Sequence, residues 1–339
     1  MTRRPDAVEC DTADRGRRDG LMRLAFLFPG QGAQAVGMGK ALAEAFPVAR
    51  EVFAEADEAL GFRLSEICWE GPAERLRETR YTQPALLTHS VAAWRLAEQA
   101  GLRPAWTAGH SLGEYSACVA AGALEFRDAV RLVHLRGTLM FEAGQQRPGT
   151  MAALLGVDRE AAERICRAAA QQGIVVPANF NAPGQVVISG ERSALEEAAR
   201  IGPELGAKRV VMLEVSGAFH SPLMESAARG LAEALDRTTF RESRCPVVAN
   251  VSAAPLSRAD EIRDALKRQV LGAVRWEDSM RFLLESGAGG FVEIGTGRVL
   301  RGLLRSIEKT AASWNIEDPA TLEATLGELG VQRAVPEGA

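Results

Sequence analysis

Between residues 149 and 216 the sequence changes rhythm, and this limits the folds open to the chain more than any other feature. MAALLGV (151–157) reads as a strand, and Asp158 is placed to cap a helix running to about Gln171. IVVPANF (174–180) and QVVISG (185–190) read as strands joined by an Asn-Ala-Pro-Gly turn. A helix from Ala194 to Leu205 and a strand over Lys208–Val215 complete a β-α-β-β-α-β order, the ferredoxin-like unit. On either side of this segment, short apolar runs alternate with helical patterns. The strands are LAFLF (24–28), Trp106–Ala108, VVANV (247–251) and GFVEI (290–294). The helices extend to about Leu60, over Gln83–Gln99 and Phe126–Glu142, and from near Pro222. That alternation predicts an α/β protein with a mostly parallel, helix-covered sheet, interrupted by a small domain. A chain of 339 residues has room for both.

Composition removes several function classes. The formal net charge is -4, which lends no support to phosphate-backbone binding. The five cysteines are scattered with no Cys-x-x-Cys pair, so neither a disulfide framework nor a zinc site is expected and a reducing compartment fits. No metal is expected. The polar first twenty residues have no apolar core for a secretory signal, and 1–21 read as a disordered tail ahead of Met22. No uninterrupted apolar run approaches the ~20 residues needed to span a bilayer. A cytoplasmic monomer is the expectation, with no nucleic acid or membrane as partner.

The chemistry concentrates at Gly109-His110-Ser111-Leu112-Gly113, between a candidate strand and a candidate helix. This is the setting of a nucleophile elbow: a tight turn, crowded enough to need glycine, that lifts a serine hydroxyl to the head of a helix. There the helix dipole and free N–H groups favour developing negative charge. A serine nucleophile needs a base, and the chain holds four histidines. His89 and His134 fall inside amphipathic helices, where packed or surface roles are expected. His110 adjoins the nucleophile on a sharp turn and points away from it, so it is assigned to shaping the pocket. His220 remains, on a strand-to-helix loop before Ser221-Pro222, a helix-start signal. No acid clearly completes a triad. Asp264 and Asp278 are candidates in polar helical stretches, and a backbone carbonyl would orient the imidazole equally well.

Seven blocks then occur in order: GQGAQ (30–34), TQPALL (82–87), GHSLGEYSA (109–117), RLVHLRG (131–137), NFNAPGQVVISG (179–190), GAFHSPLM (217–224) and EIGTG (293–297). On these, the chain resembles the malonyl-CoA:acyl carrier protein transacylases and the related acyltransferases of polyketide synthases, from about Leu24 to about Leu304. The resemblance implies an α/β-hydrolase-like large domain (22–148 and 217–339) with an inserted ferredoxin-like small domain (149–216) and a site in the cleft between them. It implies Ser111 as nucleophile and His220 as base. It implies Arg136 as the partner of the malonyl carboxylate, and the backbone N–H groups of Gln31 and Leu112 as the oxyanion hole. It also implies the Gln269 carbonyl as the group that orients the histidine.

The activity so implied is ping-pong transfer of a malonyl group from malonyl-CoA to the phosphopantetheine thiol of an acyl carrier protein, with no bound cofactor. A guanidinium such as Arg136 suits a free carboxylate, which a fatty acyl chain lacks. Phe219, beside His220, is expected to crowd an α-substituent and favour malonyl over methylmalonyl. Because acyl carriers are typically acidic, a local basic patch near the cleft is expected. Three rivals are weaker. A dinucleotide site fits LAFLF-x-G-Q-G-A-Q-A formally, but the second strand and its acid ~20 residues on are missing. A thioester hydrolase would use the same dyad but has no need of Arg136. A non-enzymatic carrier-docking module would not require Ser111 and His220.

Overall fold

The computed structural model describes residues 22–331. The reading of 1–21 as a tail therefore lies outside the described residues. The described residues form ten strands: β1 (Leu24–Phe28), β2 (Pro104–Gly109), β3 (Thr150–Val157), β4 (Val175–Ala182), β5 (Gly184–Gly190), β6 (Arg209–Met212), β7 (Val247–Val248), β8 (Pro255–Leu256), β9 (Gly290–Ile294) and β10 (Ser313–Ile316). They form two sheets.

The first sheet has the order β10-β9-β1-β2-β7-β8. It is parallel from β10 to β7, and β8 returns antiparallel on β7. All five residues of β1 are buried because helices cover both faces. Phe26 and Phe28 pack with Leu86, Leu87 and Val133 on one face, while Ala25 and Leu27 pack with Trp276, Met280 and Phe291 on the other. The nucleophile segment leaves the end of β2, a central strand, so its position is fixed by hydrogen bonding on both sides.

The second sheet is antiparallel, in the order β4-β5-β3-β6. Its helices, Arg159–Ala169 and Arg192–Ile201, lie on one face and bury Ile165 and Leu195 against Leu154 and Ile188. Asp158 Oδ1 accepts the Ala161 N–H at 2.7 Å and caps the first of them. The opposite face carries Met151, Ala178 and Val187 into the core of the first sheet. Two backbone hydrogen bonds, Phe180 N–H to the Val274 carbonyl (2.9 Å) and Val274 N–H to the Ala178 carbonyl (2.8 Å), stitch β4 to the loop before helix Trp276–Glu285. A cleft is left between the sheets.

Several elements differ from the sequence-based expectation. The strand expected over 247–251 stops at Val248, because Asn250 turns its N–H and side chain toward the nucleophile helix instead of continuing a ladder. The strand expected over Lys208–Val215 is only Arg209–Met212. The helix expected from Gln83 starts at Thr79 and runs to Gln99 with Pro84 inside it. Proline has no N–H for the Arg80 carbonyl four residues back. His134 Nδ1 takes that carbonyl at 3.0 Å, which repairs the gap and gives His134 a structural task.

Candidate active site

The chain leaves β2 through His110 and Ser111 and enters helix Gly113–Ala120 within a few residues. Ser111 has φ 50°, a left-handed conformation that costs free energy in a non-glycine residue. Packing holds it there. A Cβ on Gly109 would lie 1.9 Å from the Gly113 carbonyl group, and one on Gly113 would lie 2.1 Å from the Phe28 oxygen. The His110 N–H donates to the Phe28 carbonyl at 3.0 Å. Asn250 clamps the turn from behind: its Oδ1 accepts the Ser111 N–H at 2.7 Å, and its Nδ2 donates to the Gly109 carbonyl at 2.7 Å.

His220 is the second non-glycine residue with a left-handed backbone, at φ 57°. Its loop ends where Ser221 Oγ accepts the Leu223 N–H and Pro222 opens the next helical turn. The ring comes from 109 residues away to place Nε2 at 2.8 Å from Ser111 Oγ. Nδ1 lies 2.9 Å from the Gln269 carbonyl and 3.1 Å from the Gly272 carbonyl. Two carbonyl acceptors put the proton on Nδ1, which leaves the Nε2 lone pair facing the serine hydroxyl. Burial, reinforced by the Arg136 charge, pushes the imidazolium down to about 3, so the ring is neutral near pH 7.

Asp264 and Asp278 are not part of this arrangement. Asp278 pairs with Arg159 at 2.6 Å, and Asp264 lies 3.8 Å from Lys267 on the exposed face of its helix. His89 is buried and bonded to the Glu317 carbonyl at 2.8 Å. His110 Nε2 meets Asn181 Oδ1 at 2.9 Å, and its ring stands against Trp276 with centroids 5.5 Å apart. It faces the second sheet, not the Ser111 hydroxyl.

Arg136 sits in the middle of helix Phe126–Gln146 and is only 1% exposed. A mid-helix arginine normally faces water, so full burial marks this one as exceptional. Its Nη1 donates to Gln83 Oε1 at 2.9 Å, and Nη2 to Gln269 Oε1 at 3.0 Å and to Ser111 Oγ at 3.2 Å. Its Nε has no hydrogen-bond partner among the described residues. Burial lowers its pKa from the ordinary guanidinium value, and Tyr115 and Glu114 oppose that shift. Gln31, Leu112, Phe219 and His110 line the same cavity of about 1120 Å³, with Met151 and Asn179 from the second sheet opposite. Among the described residues, no protein acceptor takes the N–H of Gln31 or Leu112.

Eight of the residues singled out in the sequence therefore meet around one cavity, Gln269 through its contacts to Arg136 and His220, and the triad candidates Asp264 and Asp278 do not. Three more belong to the arrangement and were passed over. Gln83 lies in the TQPALL block and Glu114 in GHSLGEYSA, but neither pattern announces a buried polar group. Asn250 lay in an expected strand. Glu114 is 2% exposed, and burial pushes its carboxyl up to about 7.

Comparison with known proteins bears on this geometry. The model of the acyl transferase domain family matches residues 25–328. The chain belongs to that family. The malonyl CoA-acyl carrier protein transacylase of Bacillus subtilis is 46% identical over 310 residues, 91% of this chain and 98% of the relative. Among solved structures, a type II polyketide synthase acyl carrier protein in complex with its malonyl-transacylase aligns with a TM-score of 0.87 at 46% identity. The match covers 90% of this chain and 99% of that one. An acyl carrier protein S-malonyltransferase from Vibrio cholerae aligns at 0.86 and 45%, covering 89% and 99%. The chain is thus an acyltransferase of mixed α/β architecture.

Proposed function

We propose that this acyltransferase moves a malonyl group from malonyl-CoA to the phosphopantetheine thiol of an acyl carrier protein through an ester on Ser111. The observation that carries the reading is the buried Arg136 guanidinium, 3.2 Å from the Ser111 hydroxyl. A fixed cation beside a nucleophile has no use for a fatty acyl tail and suits the terminal carboxylate of malonate. The full-length similarity to malonyl transacylases supports the same substrate.

In the first half-reaction His220 Nε2 takes the Ser111 proton as Oγ attacks the thioester carbonyl. The N–H groups of Gln31 and Leu112 hold the resulting oxyanion. The C–S bond then breaks, and His220 returns the proton to the coenzyme A thiolate. In the second half, the carrier thiol gives its proton to His220, attacks the Ser111 ester, and leaves as the malonyl thioester while Ser111 regains its proton. Substrate binding helps the base. A malonyl carboxylate paired with Arg136 offsets the charge that depresses His220, so the imidazolium becomes easier to form when the proton must move. The Gln269 and Gly272 carbonyls stand where a triad carboxylate would, which suits a base that must release its proton readily.

We read 22–148 with 217–339 as an α/β-hydrolase-like domain and 149–216 as a ferredoxin-like insert. The β4-β5-β3-β6 order and the elbow at the end of β2 support this. We further read the protein as a cytoplasmic monomer. The four cysteines among the described residues are unpaired, which fits a reducing compartment, and no described helix is long and apolar enough to cross a membrane. The Ser111 and His220 side chains, the backbone N–H groups of Gln31 and Leu112 and the thiols of the substrates supply the groups that the two half-reactions use.

Intact-protein mass spectrometry after brief mixing with malonyl-CoA tests the reading. A malonyl-sized gain is expected in the parent and not in Ser111→Ala. Release of coenzyme A with no mass gain would replace transfer by hydrolysis.

A further inference from the structure

Behind the reacting atoms lies a carboxylate with no part in the steps above. Glu114 occupies the first turn of helix Gly113–Ala120, is 2% exposed, and makes no ion pair among the described residues. A buried carboxyl without an ion pair is costly to keep, and burial pushes it up to about 7. Its Oε2 accepts the Gln269 Nε2 at 2.6 Å and the Asn250 N–H at 3.3 Å. Gln269 is the more consequential partner. Its Nε2 also donates to the Ser111 carbonyl at 2.8 Å, its Oε1 receives Arg136 Nη2, and its main-chain carbonyl receives His220 Nδ1.

An amide has two unlike ends, and only one orientation serves this site. With Nε2 toward Glu114, Oε1 faces the guanidinium. Turned over, the NH2 group would meet the Arg136 donors, and Oε1 would meet two acceptors. In its ionised form the carboxylate accepts only, so that form selects the first orientation, together with the Ser111 carbonyl. We propose that Glu114 is a positioning residue for acyl transfer: it orients the Gln269 amide, which holds the Arg136 guanidinium for the substrate carboxylate and anchors the residue whose carbonyl steadies His220. One buried side chain thereby links the group that recognises the acyl carboxylate to the group that moves the proton. The Asn250 contact extends the same brace to the Ser111 N–H.

The inference rests on the malonyl-transfer reading, and the experiment separates the two. Loading of Ser111 is followed by rapid-quench mass spectrometry with malonyl-CoA and, separately, acetyl-CoA, at subsaturating donor. The proteins are the parent, Glu114→Gln, Gln269→Ala and the double variant. Glu114→Gln turns half of the head group into a donor and removes the charge. Malonyl loading should fall roughly tenfold, the scale of a lost charged hydrogen bond. Acetyl loading should fall less, because acetyl does not use Arg136, so the preference for malonyl narrows. In the Gln269→Ala background, Glu114→Gln should add less than about twofold, since the lever is already gone. A fall of equal size for both donors, or losses that multiply in the double variant, would reduce Glu114 to a packing role. Should Glu114→Gln not fold, Glu114→Asp, which shortens the reach to Gln269, carries the same two outcomes. A parent that loads malonyl while the variants keep its donor preference defeats this inference alone. A parent that takes up no malonyl defeats the reading beneath it as well.

Discussion

The two sheets solve the same burial problem with different materials. In the antiparallel sheet the interior is apolar: Ala152, Leu154, Ile165, Ile188 and Leu195 meet under two amphipathic helices. Its charges stay outside, in pairs such as Arg164–Glu160 and Arg200–Glu197. The parallel sheet encloses Gln83, Glu114, Arg136, Asn250, Gln269 and Glu293, all at 2% exposure or less. Each of these has hydrogen-bond partners, as burial demands. The small sheet is stabilised mainly by hydrophobic burial. The large one gives up some of that stabilisation to hold polar groups, all but Glu293 of them linked to Ser111 or its partners, and it carries both left-handed site residues. Pattern-following burial marks the scaffold, and burial against the pattern marks the site.

The largest expected effect contrasts two glycines. Gly113→Ala would press a methyl to 2.1 Å from the Phe28 oxygen and 2.9 Å from the Pro29 oxygen, both main-chain atoms that cannot turn aside. A loss above about 4 kcal/mol, with no acyl-enzyme formed, is expected. Gly206→Ala, in the small sheet's region, adds a methyl to open space at φ +102°, and only backbone strain of ~1–2 kcal/mol opposes it. Chemical denaturation of both variants checks the contrast, and near-equal losses would break it.

The legibility of the sequence divides along the same line. The β-α-β-β-α-β order could be read because each strand and helix there buries its own apolar face. Ser111 could be read because the elbow is local: strand, glycines and helix are contiguous. His220 followed by elimination among four histidines. Arg136, Gln31, Leu112 and Gln269 came only through resemblance, since a mid-helix arginine and a helix-terminal glutamine look solvated in one dimension. Glu114 and Asn250 escaped altogether. Their partners lie 155 and 139 residues away, a separation no local periodicity can report. β10 was also missed, because SWNI is too short and too mixed to stand out.

The next largest effect uses one substitution from each sheet. Leu154 is fully buried in the small sheet's core. Leu154→Ala should cost about 2–5 kcal/mol of stability, while the protein that remains folded loads malonyl at close to the parent rate. Arg136→Ala should behave in the opposite way. Malonyl loading should fall on the order of 10²-fold, the scale of removing one partner of a buried, hydrogen-bonded charge pair. Acetyl loading should change far less. Denaturant melts and donor-resolved loading rates give both coordinates for both variants. An equal loss of malonyl and acetyl loading in Arg136→Ala would mean that the buried guanidinium supports the fold and does not choose the acyl group.

A smaller effect lies in the pH dependence of loading. His220 is held down to about 3 in the free protein. The acid limb for capture of malonyl-CoA should therefore lie well below the ordinary histidine value of ~6.5. A rate profile with its midpoint at that ordinary value would mean that water reaches the ring and that the Arg136 charge is screened from it.

The smallest effect concerns stability, and its pH dependence separates the two sheets. Glu293 lies in β9 with its carboxylate on the N–H groups of Leu300 (3.0 Å) and Arg301 (2.8 Å), and burial pushes its pKa up to about 7. Between its unfolded value and about 7 the folded state holds this proton more tightly than the unfolded chain does. Its contribution to stability therefore falls as pH rises through that interval. His220 acts in the opposite sense, because a depressed imidazole loses the folded state stability as pH falls below ~6.5. A raw stability profile mixes the two, so the difference between parent and variant is the clean observable. Glu293→Gln lacks the proton and should be less stable than the parent at about pH 5, because it loses good acceptors. That deficit should shrink steadily toward about pH 7.5. Glu197, partly exposed in the small sheet's region and held below its ordinary value by the Arg200 hydrogen bond, shifts in the direction opposite to Glu293 and away from this pH range. Thermal melts of Glu197→Gln should accordingly track the parent with a constant offset. A constant offset for Glu293→Gln as well would show that its carboxylate is ionised throughout. The large sheet's buried charges would then be as firmly settled as the small sheet's exposed ones.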